Sequence, residues 1–316
     1  MFFDIPSTNV IKCELESVSI FDTSIIDEIT SEVLESVSDY DKADSLIESV
    51  VLEAEEAERY KKANVKSVIN KIKEFFVKLI QHVKAFFASL KSKFVTTIDG
   101  YIKYIESHKA EIEKAASGPD VNVEIKVYDI DKIKQMWDDI TNNGVLVTFK
   151  KVRANNYRNY DDDNTNYLEL TNLYSFVDKH LGSKDAEDFS EKLKEFIDRN
   201  VITKKITVNK NYKELMEDIK DMKNIITETE KLSNTIVKSL NSIMNKLIEV
   251  DKKLVDEDKM AFEHKDIIIS DTSKCINIVE RTSGALIKCA EVNAKSGYSA
   301  LMAMTNKNRT KTSKLI

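Results

Sequence analysis

From Tyr212 to Leu254, apolar side chains recur at alternating steps of three and four: Tyr212, Leu215, Ile219, Met222, Ile226, Ile236, Leu240, Ile243, Leu247, Val250 and Leu254. That spacing lays one apolar strip along an α-helix and fits no other regular structure, so about six heptads of chain are committed to a single long helix. Thr229 and Ser233 interrupt the strip with hydroxyls, partly covered by Leu232. A strip this long demands a partner surface. Leu215, Ile219, Met222, Ile226, Ile236, Leu240, Ile243 and Leu247 are therefore read as a seam for self-association or for an intramolecular hairpin. A following helix, about Ile267 to Met304, supplies small residues at Cys275, Gly284, Ala285, Cys289, Ala290, Ala294, Gly297 and Ala300. Small side chains permit close approach, so this helix is expected to pack antiparallel on the seam after an interruption at 256–265.

The same grammar governs the first third of the chain. Over Lys61–Val95 the apolar residues, among them Phe75, Phe76, Leu79, Val83, Phe86, Phe87 and Leu90, fall within an arc of about 140°. Lys66, Lys73, Lys84 and Lys91 line one border of the arc and Lys71 and Lys78 the other. Two readings suit this layout. Lysines beside a Phe-rich face can lie on an anionic membrane surface, each contributing roughly 1 kcal/mol, or the face can be core in a bundle. The preceding segment, 22–58, carries thirteen acidic residues against one basic residue, Lys42. An acidic amphipathic helix there could fold back on the basic one as a charge-matched hairpin, which favours the core reading. The helical pattern continues past a break expected at Thr96–Gly100 and stops at Ser117-Gly118-Pro119. With only six Gly and two Pro in 316 residues, few other stops exist.

Between the helical arms the pattern changes to period two. Val121–Tyr128 alternates and predicts a strand. A short helix over Asp131–Thr141 surrounds the only tryptophan, Trp137; Asn142-Asn143-Gly144 then predicts a turn into a second strand, Val145–Val152. After a polar loop, Arg153–Asn166, come helices over Leu168–Leu181 and Ala186–Asn200 and a third strand, Val201–Val208. The fold expected is mainly α: long helical hairpins or coiled coil with an inserted small α+β module. Its parts are an irregular leader (1–21), an N-terminal helical arm (22–118), the module (119–209), a C-terminal helical hairpin (210–305) and a basic tail (306–316).

Little in this chain points to catalysis. No phosphate-binding glycine loop, nucleophile elbow or H-E-x-x-H pattern occurs, and the carboxylates are too abundant to single out a pair. The histidines, His82, His108, His180 and His264, lack a second ligand at helical spacing, so structural roles are the simpler reading and no metal or cofactor is expected. His82 sits at the border of the Phe face, where acidification would add charge. Asp161-Asp162-Asp163-Asn164 with Glu169 fails the calcium-loop pattern, since Asn166 and Asn172 stand where Gly and Glu are needed. Cys13, Cys275 and Cys289 are too few and too scattered for a disulfide framework or a zinc site. A formal net charge of −6 gives no drive towards nucleic acid beyond weak contact by the basic tail. No basic–apolar leader and no run of 18 apolar residues is present, so neither conventional secretion nor a membrane span is expected.

The layout in which ESVSIFDTSIIDEITSEVLESV runs through an acidic helix into VINKIKEFFVKLIQHVKAFFASLKSKF, over residues 15–95, resembles internal or minor virion proteins of tailed bacteriophages. That resemblance implies a non-enzymatic component of the head, portal or tail, of a kind delivered with the genome, assembling with other virion proteins or itself and able to meet the host membrane. It does not account for the module at 119–209. Two alternatives share the same residues: a non-viral protein whose basic helix binds membranes or forms pores, and an assembly scaffold or chaperone.

Overall fold

The computed structural model describes residues 11–12, 63–154, 164–184, 188–253 and 260–312. In chain order these form β1 (Ile11–Lys12), α1 (Ala63–Ser107), α2 (Lys109–Ala116), β2 (Asn122–Tyr128), α3 (Ile130–Trp137), a π-helical segment (Asp138–Val145), α4 (Leu146–Ala154), α5 (Asn164–Leu181), α6 (Phe189–Arg199), β3 (Val201–Thr207), α7 (Val208–Lys253) and α8 (Met260–Thr312). The architecture is mainly α, with one three-stranded sheet in the order β1-β2-β3.

Three long helices, α1, α7 and α8, form a bundle, and cross-helix pairs fix its directions. Lys91 meets Glu230 at 2.8 Å and Asp99 meets Lys223 at 2.6 Å, so α1 and α7 run antiparallel. His82 meets Glu280, and Tyr101 stacks on Tyr298 with ring centroids 4.6 Å apart, so α1 and α8 run parallel. It follows that α8 is antiparallel to α7, as its small residues suggest, and Gly297 lies against Ile219 where they meet. The seam of α7 and the Phe face of α1 meet in one continuous core.

Helix α8 is the hub because both of its sides are covered. One side faces α1 and α7; the other carries β2, α3 and the π segment. From Thr282 to Ile287 every residue is buried, the burial expected of a helix enclosed all round. Two of its polar side chains hold the sheet. The Asn293 amide accepts from the Tyr128 N–H at 2.7 Å and donates to the Tyr128 carbonyl at 3.0 Å, while the Ser296 hydroxyl donates to the Lys126 carbonyl at 2.9 Å. β2 is thus paired along one edge by β3, antiparallel from Asn122↔Thr207 to Tyr128↔Val201, and along the other by two-residue β1 and then by α8 side chains. A further anchor is the Trp137 indole N–H, which donates to the buried Ser283 hydroxyl at 2.9 Å.

Four expectations fail here. The strand expected at Val145–Val152 is helical, as is the turn expected at Asn142-Asn143-Gly144. Val145, Phe149 and half-buried Val152 fall on one face at helical spacing, and the amides of Asn142 and Asn143 donate to the carboxylates of Asp138 and Asp139 four residues back. Those local bonds satisfy the asparagines inside a helix, where turn statistics expect them to break it. The π segment adds its wider turn where Gly144 lets Leu173 of α5 come close. The break expected at Thr96–Gly100 is absent, because Phe94, Ile98 and Ile105 continue the buried strip and hold α1 helical through Gly100. The leader is not wholly irregular, since Ile11 and Lys12 pair in parallel with Val123 and Glu124. The acidic helix at 22–58 and its hairpin with α1, together with Asp161–Asp163, lie outside the described residues.

Candidate functional site

The sheet does not close down evenly on the helices. The β2 side chains that alternate inward, Val123, Ile125 and Val127, are buried, but β3 is exposed from Val201 to Lys205 and only half-buried at Ile206 and Thr207. β3 therefore stands off α7 and leaves a groove of about 510 Å³ between them. Ile202 and Ile206 of β3 form one wall, Leu215, Met222 and Ile225 of α7 the other, and Ile125 and Val127 of β2 the inner end, with Gly297 and Asn293 of α8 below. The first turn of α3 and its flanking residue contribute Asp129, Ile130 and Asp131.

Local sequence explains the shape. Val201–Thr207 reads VITKKIT, whose β-branched residues favour extended chain, while Lys204 and Lys205 discourage burial. The corner where β3 runs into α7, beside the start of β2, is pinned by Asn209. Its side chain accepts from the Val121 N–H at 3.2 Å and donates to Asp120, while Lys210 pairs with Asp120 at 2.7 Å and holds that carboxyl below its ordinary range. Among the described residues nothing pairs with the outer edge of β3. Val201 at 41 % and Ile202 at 37 % rank among the most exposed large apolar side chains of the described residues.

The groove is acidic. Its lining includes Asp129, Asp131, Asp218, Asp221 and Glu228 against Lys134 and Lys204. Lys134 is spent on Glu228 at 3.1 Å and Asp138 at 3.5 Å, and Asp129 on the Lys132 backbone and ammonium. Partial burial against the groove wall, then the neighbouring Glu214, pushes the Asp218 carboxyl above its usual value, with Lys204 opposing. Such a carboxyl gains from a cation.

The residues singled out from sequence sit elsewhere. Phe75, Phe76, Leu79, Val83, Phe86, Phe87 and Leu90 are all buried in the bundle, with Phe76 and Val83 at 0 % exposure. Their face is covered by α7 and α8 and offers nothing to a membrane in this arrangement. Lys73, Lys84 and Lys91 are exposed at its border, Lys78 is half-buried, and the Lys66 side chain lies outside the described set. Leu215, Ile219, Met222, Ile226, Ile236, Leu240, Ile243 and Leu247 are likewise buried within one chain, so the seam is occupied intramolecularly. Leu215 and Met222 alone among them also reach the groove.

The remaining titratable groups hold the fold together. His82 is buried with its Nε2 3.0–3.1 Å from the Glu280 carboxylate oxygens. Burial alone would lower its pKa, but the hydrogen bond to Glu280 and that group's charge outweigh it, and the value is raised. Asp139 in the π segment takes Lys179 at 2.6 Å and His180 at 2.8 Å, which hold its carboxyl near about 2. The His108 ring stacks on Tyr104 where α1 gives way to α2. Cys275 and Cys289 are buried free thiols, pushed well up by desolvation. Among the described residues no cluster of His, Cys, Asp and Glu could hold a metal ion, and no helix is long and apolar enough to cross a membrane.

Sequence reasoning missed the groove because its lining comes from five separate elements. The one available signal was β3 itself, a strand with lysines where an enclosed strand carries apolar residues. No protein-family model matches the chain, and neither curated proteins nor solved structures give a match.

Proposed function

We propose that this chain is a non-enzymatic structural or interaction protein, a stiff three-helix frame that presents a small sheet to a partner. The observation that supports it most is how the apolar surface is spent. The long strips of α1, α7 and α8 close on one another inside a single chain, and the buried His82–Glu280 contact sets the register of α1 against α8. Buried polar pairs of this kind fix one alignment among several of similar apolar packing. What then remains for contact is the sheet edge and the groove beside it.

The narrower setting we propose is the particle of a tailed bacteriophage, as an internal head, portal-proximal or ejected component; it rests on the layout of residues 15–95. The test is protein mass spectrometry of gradient-purified particles from a lysate that expresses the chain. A constant copy number per particle, retained through a second gradient, is the expected result. A chain abundant in the lysate but missing from purified particles would overturn the particle setting.

A further inference from the structure

We propose that the outer edge of β3 and the groove behind it bind an extended peptide segment of a partner protein, added antiparallel or parallel as a fourth strand. Its inward-facing side chains would be apolar, apolar and basic. The inference deepens the reading of the chain as an interaction protein and rests on it.

Three observations converge on the same strand. First, β3 ends the sheet, and its outward N–H and C=O groups form a row that no described strand uses. An edge of that kind binds extended peptides through main-chain hydrogen bonds, with alternate side chains setting specificity. Second, the inward side chains of such a peptide enter the slot between Ile202 and Ile206 on one side and Met222 and Ile225 on the other. The lengths agree: Leu215 to Glu228 spans thirteen helical steps, about 20 Å, and the seven residues of β3 span about 23 Å. Third, the rim carries Asp218, Asp221 and Asp131, none of them within ion-pair distance of a lysine or arginine among the described residues, with only Lys204 opposing Asp218 at longer range, so one basic side chain at the slot completes the charge.

Charge also excludes the nearest competitors. Two copies of this chain pairing β3 to β3 would set Lys204 and Lys205 against their own counterparts, an arrangement that repels. The 22–58 segment of the chain, with thirteen acids and one base, has the wrong sign for this rim. A partner strand with a single inward basic residue, set beside Ile202 and not beside Lys204, meets neither obstacle.

The experiment uses the full chain labelled with ¹⁵N and a blocked peptide, Thr-Val-Thr-Ile-Thr-Lys-Thr, in which valine, isoleucine and lysine share one face. The expected result is saturable shifts in Val201–Thr207 and in the Asp218–Glu228 stretch of α7, with a Kd below about 1 mM. Asp218→Asn with Asp221→Asn should weaken binding by about tenfold, and added salt should do the same to the unsubstituted chain. Methylating the peptide nitrogens that face β3 should abolish binding, whereas a peptide with glutamate in place of lysine should bind at least about tenfold more weakly. Because both aspartates are exposed, the double variant keeps its helical circular dichroism and reports on binding alone. No shift at about 2 mM peptide, equal binding of the glutamate peptide, or indifference to N-methylation would overturn the proposal. Sedimentation equilibrium that instead finds a dimer broken by Ile202→Lys would assign the edge to a second copy and overturn it too. These outcomes are independent of the particle assay: peptide binding without particle association fails only the phage setting, and the reverse fails only the strand-addition site.

Discussion

Gly100 and Gly144, two of the glycines in helical backbone, should respond to the same substitution with opposite signs. Gly100 lies in α1, exposed, and a methyl group built on it meets nothing within 4 Å. Gly100→Ala therefore collects the ordinary gain of removing a flexible residue from a helix, about 0.5–1 kcal/mol. Gly144 lies in the π segment, and the same methyl would stand 2.8 Å from Leu173 Cδ1, with Phe176 Cδ2 at 3.5 Å and the Asp139 carbonyl at 3.6 Å. Carbon atoms in contact rest at about 3.5–4.0 Å, so Leu173 must retreat by roughly 0.7 Å or more. Leu173 is at 0 % exposure and has no open side to retreat into. Overpacking of this kind costs about 1–3 kcal/mol; set against the helical gain, Gly144→Ala should be destabilised by about 1–2 kcal/mol.

Urea unfolding followed by far-ultraviolet circular dichroism reads both variants. With a slope of about 3 kcal/mol/M, the midpoint should rise by about 0.2–0.3 M for Gly100→Ala and fall by about 0.3–0.6 M for Gly144→Ala. A third variant tests the stated cause. Leu173→Val withdraws the δ-carbons, so Gly144→Ala should cost at least about 1 kcal/mol less in that background than alone. Equal stability of Gly144→Ala and the parent, or strict additivity with Leu173→Val, would refute the close approach of α5 to the π segment.

Three further outcomes follow from the contacts of α8. Asn293→Leu leaves the N–H and C=O of Tyr128 without their partners and should cost about 2–4 kcal/mol; hydrogen exchange should quicken at Tyr128 more than at Val123, which unaltered stability would contradict. His82→Gln tests the buried pair through pH: because the folded pKa of His82 is raised, its stabilisation is full below about pH 6.5 and lost as pH rises through the folded value. The gap in midpoint between parent and variant should accordingly shrink on going from about pH 6 to pH 9, and a gap that widens would sink the assignment. Asp271 has the opposite sense. Burial lifts its carboxyl to about 6, with Lys274 at 3.9 Å too far to offset it, so ionisation costs stability above that pH. Asp271→Asn should stabilise the chain by about 1–2 kcal/mol at pH 8 and by nothing below about pH 4, measured by the same unfolding curves.

The long elements were legible because their apolar residues repeat over many turns. The strip of α7, the Phe face of α1, the alternation of β2 and β3 and the small residues of α8 each state period and partner type on their own. The region after Trp137 was not legible. Val145–Val152 offers apolar residues at both two-residue and three-four spacing, and an eight-residue window cannot separate the periods. What decides is tertiary: Gly144 against Leu173, and asparagine side chains bonding back to aspartates within the helix. The groove was illegible for a related reason. Asp131, Ile202 and Asp218 are far apart in sequence and ordinary one by one; only the standing-off of β3 from α7 gives them a shared surface. Asn293 and Ser296 left a faint trace, as polar residues on a helix otherwise made for burial. A helix that packs by small side chains has no use for them unless something with backbone groups to satisfy lies against it.

The Phe face illustrates how far an angular pattern can constrain a function. Lysines flanking an aromatic stripe suit a membrane surface and a bundle equally, and the difference lies in what else competes for the stripe. Here α7 and α8 compete and win. Twelve large apolar side chains of α1, from Ile72 to Ile105, are buried against them, and at about 2 kcal/mol each their exposure costs more than the roughly 5–15 kcal/mol that holds a typical domain folded. Offering that face to a bilayer is therefore equivalent to unfolding the bundle, not to a local swing of one helix. The acidic residues and the β3 edge lie on the outside at no such cost, and a partner that needs only an extended basic strand can reach them while every long helix stays where it is.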